Sequence, residues 1–156
     1  MRQTRQWHSA PAAAAAQPRA VGLRLGNGGE VSYQHTVGQN FIQVDGGLGI
    51  DIYNGNALGV GATAVYNFMI AQPQWTDRGE WGFYAGPAVK MGYLWVGGYL
   101  AVGAQVGLEY NFNFPLQVSL DIRPAAGVAI EGGSCRIYGA EAILGSIPCL
   151  SVRYRF

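Results

Sequence analysis

Charge is scarce in this 156-residue chain: Asp, Glu, Lys and Arg together make up 12% of it. An ordinary soluble domain carries about 25%. Long apolar runs are missing as well. No stretch approaches the roughly 18–20 uninterrupted apolar residues of a membrane-crossing helix, and the mean hydropathy is only +0.10. A net charge of +1 with no basic stripe lacks the electrostatic footprint of a nucleic-acid binder. The two cysteines, Cys135 and Cys149, lack the paired Cys/His spacing of a zinc site. No pattern in the chain calls for a metal or a cofactor.

Glycine, by contrast, is abundant at 24 residues, and aromatic side chains reach 12%. Low charge without a hydrophobic run leaves two readings. One is a soluble all-β domain; the other is a membrane barrel whose apolar residues are spread over alternate positions. The length is that of one domain.

Residues 1–19 differ from the rest. Arg2 and Arg5 are followed by Pro11, the run Ala12 to Ala16, and Gln17. Small residues before Gln17 with arginines upstream look like a signal-peptidase site, but no Leu, Ile, Val or Phe supplies an apolar h-region. The segment reads as an N-terminal tail or an export-signal remnant, and residues 20–156 as the folded domain.

From Ala20 onward the period is two. Val106, Leu108, Tyr110 and Phe112 alternate with Gly107, Glu109 and Asn111, and Leu116 to Arg123 repeats the pattern without an error. Such alternation predicts strands with one apolar face. Eight are expected, over roughly 19–26, 30–37, 41–53, 57–71, 81–95, 99–112, 115–130 and 142–156. Turn residues separate them, among them Asn27-Gly28-Gly29, Gly38-Gln39-Asn40 and Gly97-Gly98.

The other face carries the charges: Arg24, Glu30, Asp45, Asp51, Lys90, Glu109, Asp121, Arg123, Arg153 and Arg155. Its acids and bases nearly balance, and small residues separate them. The outside of a soluble sandwich would be dominated by Lys, Glu and Thr. A glycine-rich, charge-balanced face almost free of lysine suits the inside of a narrow barrel, where ions must pair to tolerate burial. The expected fold is therefore all-β: a closed, antiparallel, up-and-down transmembrane β-barrel of about eight strands. Aromatic residues near strand ends fit interfacial girdles. Pro87 and Pro124 each remove a ladder donor, so a bulge or a missing bond is expected at each. An even strand number puts both termini on one side, the periplasmic one for this class.

The end of the chain, Leu150-Ser151-Val152-Arg153-Tyr154-Arg155-Phe156, resembles the C-terminal assembly signal of outer-membrane barrel proteins. Phe156, Tyr154, Val152 and Leu150 fill its alternating aromatic and apolar positions. Together with Val21 to Gly26, Glu30 to His35, and Leu108 to Phe112 through Asp121 to Ala125, residues 20–156 look like the small outer-membrane barrels common in Bacteroides-type bacteria, OmpX/OmpA-like in size. The resemblance implies an integral place in the outer membrane, contact with its lipid, and insertion by the barrel-assembly machinery. It says little about activity.

Three functional classes compete. A non-enzymatic barrel would be a structural component or an accessory subunit of a larger outer-membrane complex. Its predicted outer loops are short, Glu131–Glu141 excepted, while Gln72–Glu80 on the periplasmic side offers Trp75, Asp77 and Arg78 as a contact or an interfacial anchor. A lipid A-modifying enzyme would need a serine, a histidine and an acid within hydrogen-bond reach. His35 alternates to the face opposite Ser32, and His8 and Ser9 lie in the tail. A narrow pore would need an open lumen, yet eight strands leave only enough room for side chains. Cys135 and Cys149 are candidates for a disulfide in an oxidising compartment, worth about 3 kcal/mol in the chain-entropy model.

Overall fold

A computed structural model describes residues 18–26, 28–51, 57–94, 97–139 and 147–156; the side chains of Ile50, Asp51, Ala57, Leu58, Leu94 and Tyr138 fall outside the description. Among the described residues there are ten strands and no helix: β1 Arg19–Leu25, β2 Gly28–Val37, β3 Asn40–Asp51, β4 Ala57–Ala71, β5 Glu80–Leu94, β6 Gly97–Asn111, β7 Leu116–Ile122, β8 Ala125–Glu131, β9 Ser134–Tyr138 and β10 Cys149–Arg155.

Every neighbouring pair is antiparallel, and the wall closes on itself. The ring runs β1, β2, β3, β4, β5, β6, then β7 below and β8 above on the same edge of β6, then β10 and back to β1. β7 and β8 act as one wall position, so this is a closed eight-stranded antiparallel barrel, as expected. Its shear follows from the register. From Leu25, pairing leads through Gly29, Leu48, Val60 and Tyr93 to Gly98 of β6. The other way round, Leu150 and Leu120 lead to Leu108 of the same strand, ten residues on. Eight strands and a shear of ten tilt the strands about 43° from the axis.

The first six strands match the alternation to within two residues at each end. The seventh does not run unbroken: the expected 115–130 splits at Arg123-Pro124 into β7 and β8. Ala104 still donates its N–H to the Pro124 carbonyl at 3.0 Å, but proline has no N–H to return. Pro87 stays within β5, and the β4–β5 ladder skips Tyr66 and Asn67 opposite it. The expected outer loop 131–141 is also corrected. Gly132 and Gly133, with φ of 53° and 86°, make a tight turn, and Ser134–Tyr138 pairs with β8 as a further strand. The last strand begins at Cys149, and 142–146 of the expected 142–156 lie outside the described residues.

Candidate functional site: a filled lumen inside an apolar belt

Alternation puts two chemistries on the two sides of one wall. Outward, large apolar side chains are exposed on every strand of the ring, among them Leu23, Val31, Val44, Val60, Met91, Val102, Leu120, Ile130 and Val152. Inward, the fully buried side chains are mostly polar, with Gln43, Asp45, Asn67, Gln105, Asp121 and Arg153 among the largest. The core of this barrel is hydrophilic, and its surface is oily.

The lumen is crossed by a bonded network. Arg24 of β1 donates to Glu30 at 2.6 Å and to Asp121 at 2.7 Å. Arg123, at the break between β7 and β8, reaches across the barrel to Asp45 of β3 and donates to Gln105 of β6. Gln105 in turn donates to the Gln43 carbonyl oxygen at 3.1 Å, and the Gln43 amide donates to Asp45 at 2.9 Å. Opposite walls are thus tied together through side chains that occupy the lumen at this level. Arg24, Glu30, Asp45, Asp121 and Arg123 form the ion pairs anticipated from their shared face.

Four other expected members stand apart from these ion pairs. Arg153 is buried and bonds the neutral Ser32 at 2.8 Å and Ser119 at 2.8 Å. Glu109 accepts from Asn111 at 3.0 Å and Gln117 at 3.1 Å. Lys90 is exposed and lies over the Tyr99 ring, 5.6 Å from its centroid. Arg155 is half-buried near the end of β10. The side chain of Asp51 lies outside the described residues. The network is therefore smaller as an ion cluster than the face pattern suggests, and larger as a neutral hydrogen-bond network.

Below it the lumen is filled by rings. Phe41 meets Tyr84 edge-on at 5.1 Å between centroids, both buried, with Val65 beside them in the interior. Tyr84 stands opposite Gly107 in the β5–β6 register, and Tyr99, at the other end of β6 and above the network, opposite Gly92. A Cβ at Gly107 or Gly92 would collide with the facing ring. Phe41 and Tyr84 are not singled out by the sequence, although the parity of their positions places them on the charged face; Tyr99, expected among the strand-end aromatics of an interfacial girdle, lies under Lys90 instead.

Ser32 and His35 project to opposite faces, and Ser32 is engaged by Arg153. They do not come together as a catalytic pair. His8 and Ser9 lie outside the described residues. Among the described residues no cluster of three or more His, Cys, Asp or Glu could hold a metal ion. The disulfide expectation is corrected: Cys135 is exposed on β9, Cys149 is buried, and both thiols are free.

The connector between β4 and β5 is tied to the wall. Trp75 packs on Trp81 at 5.4 Å and on Phe83 at 5.5 Å; Trp81 packs on Tyr110, Tyr110 on Phe112, and Phe112 on Phe114. The Tyr110 hydroxyl donates to the Arg78 carbonyl at 2.5 Å. Asp77 is exposed. The result is an aromatic band at the end of the barrel where β1 begins and β10 ends. Leu150, Val152, Tyr154 and Phe156 all face outward beside it.

No protein-family model, curated protein or solved structure matches this chain.

Proposed function

We propose that this chain is a non-enzymatic integral β-barrel of a bacterial outer membrane, serving as a structural component or as an accessory subunit of a larger outer-membrane complex. The observation that carries this reading is the inversion of polarity. Outward side chains such as Leu23, Val102 and Tyr93 are 59%, 63% and 58% exposed, while Arg24, Asp45, Glu109, Asp121 and Arg153 are buried. A monomer in water rarely keeps an apolar patch of more than a few hundred Å², and here the apolar face runs round the whole ring. In lipid the same face is at rest, and a closed barrel leaves no unpaired backbone edge round its ring.

The geometry favours a passive role over the alternatives. Arg123 and Asp45 cross the lumen, which opposes a pore of ordinary conductance. Ser32 and His35 on opposite faces oppose a lipid-modifying hydrolase built on them. Few residues separate β1 from β2 and β5 from β6, which leaves little chain for a surface recognition loop.

Gentle detergent extraction of membranes, followed by sizing and mass spectrometry, tests the reading. Co-migration with a larger assembly supports the subunit role, and a lone small barrel supports the structural one. Recovery of the chain in the aqueous fraction overturns both.

A further inference from the structure

The wall is not equally tall all round. β4, β5 and β6 have 15 residues each, whereas the adjacent β1 and β10 have seven each and β2 has ten. At ~3.3 Å per residue and a tilt of about 43°, the long strands climb about 34 Å along the axis and β1 only about 15 Å. A bilayer core is about 30 Å thick, and the apolar band of a membrane barrel about 25 Å.

The tall side is apolar to its top. Tyr93 of β5, Leu100 of β6 and Ile130 of β8 are all exposed, so it is not a polar sheet that stands clear of lipid. The β1–β2 hairpin has no hidden extension. Gly26 donates its N–H to the Gly28 carbonyl at 3.1 Å, so the chain reverses directly after Leu25. Its outward residues, Val21, Leu23, Leu25, Val31 and Tyr33, are aliphatic or aromatic and exposed. β1 covers only about half the height of a bilayer core, and β2, with Val37 exposed at its end, about 22 Å of it.

We propose that the β1–β2 hairpin is a site of local bilayer thinning, where the surrounding lipid is drawn down to a shorter hydrophobic span. The inference rests on the membrane reading above. The occupant is lipid because the face beyond the Arg19–His35 pair at its end is uncharged and continuous with the belt on either side, through Ile42 and Val44 of β3 and Leu150 and Val152 of β10. A wall shorter than the bilayer is accommodated by thinning the bilayer beside it, and the tall β4–β6 side demands nothing of the kind.

The test places a bimane label on the short side at Leu23→Cys or on the tall side at Val102→Cys. The background is Cys135→Ser, with Cys149 left in its buried position. Vesicles contain brominated phosphatidylcholines with myristoleoyl, oleoyl or erucoyl chains. The label at position 23 is expected to be quenched about twofold better by the shortest lipid than by the oleoyl one, and that at position 102 to show the reverse order. Inserting four alternating apolar and polar residues in each arm of the hairpin should give position 23 the pattern of position 102. The same chain-length order at both positions would overturn the thinning and leave the membrane reading intact. Quenching at position 102 alone would mean that a protein neighbour covers the hairpin, which also overturns it. Quenching at neither position would sink the membrane reading itself.

Discussion

Arg24 of β1 donates to the carboxylate of Asp121 on β7 at 2.7 Å, passing across β10, which lies between them. The Asp121 side chain is fully buried and that of Arg24 is 7% exposed. This pair clamps the two neighbours of the strand that closes the ring. Asp121→Ala leaves one arm of the buried Arg24 guanidinium unpaired while Glu30 still holds the other, so it should destabilise the barrel by ~1–3 kcal/mol. Replacing both, as Arg24→Met with Asp121→Leu, should cost clearly less. Urea titrations of the parent and the two variants in lipid vesicles measure the difference. A double variant as damaged as the single would refute the charge argument.

The Tyr84 ring lies across Gly107, its register partner on β6. Gly107→Ala puts a methyl group into that ring and should cost about 1–3 kcal/mol by overpacking. In a Tyr84→Ala background, already weakened by the lost ring, the same alanine should cost little. A double-mutant cycle on the unfolding midpoint checks this. Additive losses would mean that the ring and the glycine do not confront each other.

Alternation alone places charge inside and apolar groups outside, because a closed barrel has only two faces and the period is two. It cannot place a residue at a height within the lumen, since height depends on shear, and shear is a property of all the pairings together. Arg24, Asp121, Asp45 and Arg123 meet because their strands bring them to one level. Glu109 and Arg153, on the same face, find amides and hydroxyls instead. The Tyr84–Gly107 pairing is hidden for the same reason. Pro124 did announce the break between β7 and β8. Nothing in Ser134 to Tyr138, a five-residue stretch with Cys135 and Arg136, marks it as a strand until it is seen against β8.

The thiols give a direct chemical check. Cys135 is exposed, whereas Cys149 is buried and its Sγ donates to the Ile147 carbonyl at 3.4 Å. A maleimide should therefore label the folded barrel once and the denatured chain twice, read by intact mass. Migration should not change with reductant. A folded chain that resists labelling altogether would restore the disulfide.

At the end of the chain, two roles of Phe156 can be separated. Its N–H donates to the Arg19 carbonyl at 2.9 Å and its carbonyl accepts from the Arg19 N–H at 3.3 Å, so deletion removes two closing bonds together with the ring. Phe156→Ala keeps both bonds and loses only the outward ring. If that ring is read by the assembly machinery, this variant folds into vesicles as the parent does, yet accumulates poorly in cellular membranes. Normal accumulation would reduce Phe156 to an ordinary strand end.

Pro124 offers a gain rather than a loss. Ala104 and Pro124 stand opposite each other as a hydrogen-bonded pair of which only one bond exists, from the Ala104 N–H to the Pro124 carbonyl at 3.0 Å. In an antiparallel pair of this kind the return bond runs between the same two residues, and proline lacks the donor for it. Pro124→Val supplies that donor, suits an extended backbone, and keeps an apolar group at the position. It should stabilise the barrel by ~0.5–1.5 kcal/mol, the net worth of one hydrogen bond, and the new amide should exchange slowly with deuterium. The opposite result is informative too. A loss of stability with a rapidly exchanging amide would mean that the wall needs its break here, to bring the inward Arg123 within reach of Asp45 on the far wall.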